Sequence, residues 1–95
     1  MNLNIDNMLN IGTVVQVKGS VKPVMIIGYM VVDDDGIHDY LGCLYPIGVL
    51  DSKHNLVFNS DDIKMVIENG YSDGTEIEIK KEHLNAFNEV FSKEW

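Results

Sequence analysis

The chain holds a single cysteine, Cys43, in 95 residues. One thiol cannot close an internal disulfide, so a disulfide-stapled secreted scaffold is excluded and a reducing, cytoplasmic setting is favoured. Positive charge is scarce as well: 7 lysines and arginines face 15 aspartates and glutamates, for a net charge of −8 and a pI of about 4.5. Phosphate backbones are gripped by clustered cations, so nucleic acid is not an expected partner. No apolar run approaches the ~20 residues of a membrane helix. The opening residues, MNLNIDNMLN, have neither the basic start nor the unbroken apolar stretch of a signal peptide. Neither a leader nor membrane insertion is expected.

Signatures of catalysis and metal binding are missing too. His38, His54 and His83 fall in three separate segments, without the H-x-x-x-H or C-x-x-C spacing of a zinc site. Asp33-Asp34-Asp35-Gly36 has the acidity of a calcium loop, but an EF-hand alternates its ligands with other residues and closes on a glutamate, whereas Leu44 stands at the closing position. A hairpin turn accounts for it better, since Asp-Gly supplies the positive φ that tight turns need. His38 and Cys43 lie roughly 16 Å apart if both sit on one strand, too far to share a proton, so Cys43 reads as a small buried hydrophobe. There is no G-x-S-x-G and no glycine-rich phosphate loop. The expectation is a non-enzyme without cofactor or metal.

What is present is β pattern. In residues 11–18, Ile11, Thr13, Val15 and Val17 alternate with Gly12, Val14, Gln16 and Lys18, as in a half-buried strand. Gly19-Ser20 turn the chain and Pro23 heads the next strand, where its missing N–H does least harm. Residues 24–32, VMIIGYMVV, are nearly all apolar and predict a central strand, with Gly28 at a bend or bulge. After the Asp33–Gly36 hairpin, residues 37–44 form its partner, ended by Tyr45-Pro46. Val49, Leu50 and Leu56–Phe58 are short β pieces, and Ile63–Ile67, mostly β-branched or alternating, predict a last strand despite the capping residues Asn59–Asp62 before it. Asn69-Gly70 and Ser72-Asp73-Gly74 signal turns. A helix follows over 75–95, opened by a capping box from Thr75 to Glu78. Its apolar stripe is Ile77, Leu84, Phe87, Val90, Phe91 and Trp95, and Glu76 and Lys80 form an i,i+4 pair on its wet side.

These elements predict one domain: a polar lead-in over 1–10 whose Leu3, Ile5, Met8 and Leu9 form a helical turn or loose flap, a β-core over 11–71, and the helix over 75–95. The fold class is α+β, mostly β, a small antiparallel barrel-like bent sheet of about five strands with the C-terminal helix packed on it. Most aromatics are expected in the core or at its edge. Tyr45-Pro46-Ile47-Gly48 is the best exception, because apolar residues at a turn are exposed by default. A bare strand edge could also receive another chain. Candidate partner-binding residues are therefore Tyr40, Tyr45, Pro46, Ile47 and Trp95.

Several spaced segments also resemble a small domain-of-unknown-function family found beside type VII (ESX-like) secretion loci and LXG-toxin genes of Gram-positive bacteria. They are Ile11-Gly-Thr-Val-Val, Val17-Lys-Gly-Ser20, Val24-Met-Ile-Ile-Gly28, Asp39-Tyr-Leu-Gly-Cys-Leu-Tyr-Pro-Ile-Gly48, Phe58-Asn59 with Asp61-Asp-Ile63, and Glu68-Asn-Gly-Tyr71. The resemblance covers about residues 9–71 and brings no catalytic residues. It implies a cytoplasmic chaperone or adaptor for a secreted LXG toxin, or alternatively an immunity protein that blocks a toxin's active domain. The chain has no W-x-G hairpin, unlike an exported substrate of that system.

Overall fold

The structure, a computed structural model, describes residues 4–51 and 53–92, with side chains as far as residue 89. Leu3 and Trp95, and the side chains of Val90 and Phe91, lie outside the described residues. Five strands, β1 (Val14–Val17), β2 (Val24–Asp33), β3 (Gly36–Leu44), β4 (Leu56–Phe58) and β5 (Ile63–Glu68), precede one helix, α1 (Thr75–Ser92). They form a single antiparallel sheet in the order β4-β3-β2-β1-β5. The first and last strands in that order are not paired to each other, so the sheet is bent and open rather than a closed barrel.

The bend has local causes. In β2, register passes from Ile26↔Gly42 to Gly28↔Leu41, which leaves Ile27 as the extra residue of a bulge beside Gly28. Bulges increase twist and turn a strand away from its line. Three residues on, Met30 holds φ 53, a left-handed conformation that costs a side-chain-bearing residue energy and needs surrounding structure to hold it. The hairpin closes at Asp33↔Gly36, with its positive φ on Gly36.

One face of the sheet carries the core. Val15 and Val17 of β1, Val24, Ile26 and Tyr29 of β2, Tyr40 of β3 and Phe58 of β4 are buried together. The alternation expected in β1 holds, because Thr13, Val15 and Val17 are buried while Val14 and Gln16 are half-buried. Ile11, however, is exposed and precedes the strand. Phe58, Tyr40, Tyr29 and His83 form a row of rings across β4, β3, β2 and α1, with successive centroids 5.6, 6.0 and 5.4 Å apart. Such tilted and edge-on pairs add to burial through their quadrupoles.

The lead-in is a structural part of the fold rather than a loose flap. Asn4 caps a turn by accepting from the N–H groups of Asp6 (2.9 Å) and Asn7 (3.1 Å), and Met8 then enters the core. Leu9 is clamped at both backbone polar groups: Tyr29 Oη donates to its carbonyl (2.5 Å), and its N–H donates to Tyr40 Oη (3.1 Å). Buried tyrosines need a partner for the hydroxyl, and a chain segment that supplies both a donor and an acceptor satisfies two at once.

The helix corrects three expectations. Its N-terminal capping lies two residues earlier than Thr75–Glu78: Asp73 Oδ1 accepts from the Thr75 N–H (3.0 Å) and hydroxyl (2.5 Å), while Glu76 Oε1 accepts from the N–H groups of Asp73 (3.1 Å) and Gly74 (2.7 Å). A carboxylate is the stronger acceptor, so Asp73 displaces Thr75 as the cap and the threonine becomes a donor to it. Lys80 is not on the wet side. It is buried, and its ammonium donates to the Met8 carbonyl (2.8 Å) and Asn10 Oδ1 (2.5 Å), so its stem lies inside and its charge is spent on the lead-in. Glu76, engaged at the cap, is not its partner. Ile77 is exposed, and the inward line of the described helix runs through Lys80, Leu84 and Phe87 instead.

Candidate partner surfaces

The segments that carry the family resemblance divide into a structural part and a surface part. Asp39 N–H donates to Asn59 Oδ1 (2.9 Å), Asp39 Oδ2 accepts from Ser60 N–H (2.9 Å), and Asn59 N–H donates to Asp62 Oδ2 (2.9 Å). This web ties β3 to the short 3-10 turn Ser60–Asp62 that launches β5. Tyr40 is 1% exposed. Burial raises its phenol pKa and its hydroxyl is committed to Leu9, so this candidate presents no surface to a partner. Gly42 sits where a side chain would meet Val24 and Phe58, and Gly70 lies against the backbone of residues 11–13, where it donates to Thr13 Oγ1 (3.0 Å). Neither has positive φ, so both glycines serve close approach and not a turn.

Tyr45, Pro46 and Ile47 do reach the surface. They form the turn after β3, with Tyr45 52% and Ile47 45% exposed and the Tyr45–Pro46 peptide cis. Val49 and Leu50, expected as β pieces, belong to the same irregular exposed segment, and Tyr45 N–H ties it to the Pro23 carbonyl (2.9 Å). Trp95 lies outside the described residues. Nearby, the β1–β2 turn, Leu44 and residues 53–56 enclose an open cavity of about 640 Å³. Lys18, Lys22 and Lys53 line it beside His54, and the three lysines concentrate positive charge on an acidic protein.

A second surface was not singled out from the sequence. At the end of the sheet, β5 pairs on one side with β1 and, among the described residues, has no strand on the other. Met65, Val66 and Ile67 in its middle are 58%, 39% and 46% exposed. The opposite edge differs: β4 is three residues long, with Phe58 buried and Leu56 and Val57 half-buried. Alternation predicted that β5 exists but could not show that it would be an edge, since that follows from strand order. The lysines of the cavity were also missed, being split between two loops far apart in sequence.

The titratable groups are arranged for local structure. His38 Nε2 lies 2.9 Å from Asp33 Oδ1, and this hydrogen bond holds the Asp33 carboxyl below its ordinary range. His54 Nδ1 does the same for Asp51 at 2.7 Å. The Ser72 hydroxyl donates to Glu76, which with the cap N–H groups draws its pKa down to about 2. Tyr29 is pushed up to about 12, chiefly by burial. Cys43 is buried, and among the described residues no three His, Cys, Asp or Glu side chains are grouped to hold a metal ion. No helix of the described residues is long and apolar enough to cross a membrane.

No curated protein and no solved structure matches the chain. A family model does, over residues 8–79, from the core residue Met8 into the first turns of α1. The chain belongs to the DUF4176 family, a domain of unknown function. That description names no activity and no secretion system.

Proposed function

We propose that this DUF4176 domain is a non-enzymatic binding module that takes a partner polypeptide along the open edge of β5. The observation that carries this reading is the exposed Met65-Val66-Ile67 segment on a strand whose outer edge has no partner strand among the described residues. An edge strand presents backbone donors and acceptors in a row, and proteins ordinarily blunt such a row with charge or irregularity. Here Lys64 and Glu68 flank the segment and the pairing with β1 shifts register twice, yet the centre remains apolar. An added strand would satisfy the backbone groups and cover these side chains together. The Tyr45–Leu50 turn provides a further apolar surface at another part of the domain.

The client class rests on the sequence resemblance: a secreted LXG toxin, for which this protein is a cytoplasmic chaperone or adaptor. The net charge of −8 favours a basic segment in the client and keeps the complex dispersed. The test is co-purification with the N-terminal helical region of an LXG toxin encoded beside it, followed by amide exchange. Slowed exchange in β5 on binding, and loss of binding in Met65→Lys with an unchanged melting temperature, are the expected results. Binding only to the toxin's catalytic domain, with protection of cells from it, would replace the chaperone role with immunity. Absence of binding to either region with both proteins folded would remove the reading.

A further inference from the structure

We infer that the cavity between the β1–β2 turn and the loop before β4 is a second binding site, built for an acidic peptide segment with apolar side chains. The inference rests on the reading of the protein as a binding module, but on a different surface from β5. Three of the chain's seven lysines, Lys18, Lys22 and Lys53, line this one cavity of about 640 Å³, and among the described residues no aspartate or glutamate lines it with them. Among the described residues the ion pairs are His38–Asp33, His54–Asp51 and Lys81–Glu78, so none engages these three lysines. The nearest carboxylate in sequence, Asp51, is occupied within its own loop, accepting from Lys53 N–H (2.8 Å), His54 N–H (3.1 Å) and His54 Nδ1 (2.7 Å). Lysines gathered at one cavity and held in none of these ion pairs raise the local potential for an anion.

A further feature selects a peptide over a simple anion. The remaining walls include Val21, Leu44 and Leu56, and Val21 is almost fully exposed, as suits apolar side chains of a ligand. A segment that alternates carboxylates with leucine-like residues supplies both needs: anions for the lysines and apolar contact for the walls.

The experiment is an NMR titration of the ¹⁵N-labelled full chain with an acetylated, amidated peptide alternating glutamate and leucine. Its counterpart with glutamine in place of glutamate, and inorganic phosphate, serve as the comparison ligands. Shifts confined to residues 18–22 and 53–56, including the Asn55 side-chain amide, are expected. Lys18→Gln/Lys22→Gln/Lys53→Gln should weaken binding by on the order of tenfold, the sum of three exposed charge pairs, and Lys81→Gln should leave it unchanged. Raising salt from about 50 to about 300 mM should weaken it several-fold. Equal binding of the glutamine peptide, shifts elsewhere in the fold, or phosphate binding as tightly as the peptide would each overturn the assignment. If only the cavity fails while a toxin segment still protects β5, the binding-module reading stands and this site does not; loss of the β5 interaction alone has the converse meaning.

Discussion

Gly42 is the position where the packing can be tested most sharply. A Cβ there would stand 2.5 Å from Val24 Cγ1, 2.9 Å from Phe58 Cε1 and 3.0 Å from the Met25 carbonyl oxygen. Carbon atoms pack at roughly 3.5–4.0 Å, so two core side chains and a strand backbone must all move. Val24 is fully buried and Phe58 nearly so, leaving neither an easy retreat. Gly42→Ala should therefore cost about 3 kcal/mol, the upper part of the overpacking range. For 95 residues the unfolding entropy is about 0.2 kcal/mol/K, which translates the loss into a fall of about 15 °C in melting temperature. Val24→Ala removes the closest atom and by itself costs about 2 to 3 kcal/mol as a cavity. Additive effects would leave the double variant about 5 kcal/mol down or more. Relief of the clash should instead bring it at least about 1.5 kcal/mol above that sum. Urea titrations of the four proteins measure the coupling, and simple additivity would refute the placement of β3 against β2.

Lys80→Met keeps the buried stem but deletes the donors to Met8 and Asn10, so a loss of about 2 kcal/mol and faster amide exchange over residues 8–10 are expected by exchange mass spectrometry. Tyr29 is raised from 10.0 to about 12, so the folded state holds a proton that the unfolded state releases first. Stability should be full below pH ~10 and decline as pH rises through ~12, and Tyr29→Phe should flatten that alkaline decline in chemical denaturation. Glu76 has the opposite sign: lowered from 4.5 to about 2, its support of the helix start is present above pH ~4.5 and lost as pH falls through ~2. Glu76→Gln should lessen the acid dependence of helix content followed by far-UV circular dichroism.

Residue order alone made the local pattern legible: the alternation of β1, the apolar run of β2, the Asp-Gly hairpin, and the presence of β5 and a helix near Thr75. Each depends on residues within a few positions of one another, where period and turn chemistry act. Tertiary structure decided what those patterns face. It placed Tyr40 inward by closing the lead-in over it, turned Lys80 into the core because Met8 and Asn10 offered acceptors, and made Gly42 and Gly70 points of close approach. It also left β5 at an edge and gathered Lys18, Lys22 and Lys53 around one cavity. Those outcomes join residues dozens of positions apart, and a side chain's spacing along the chain carries no information about which distant backbone will arrive beside it.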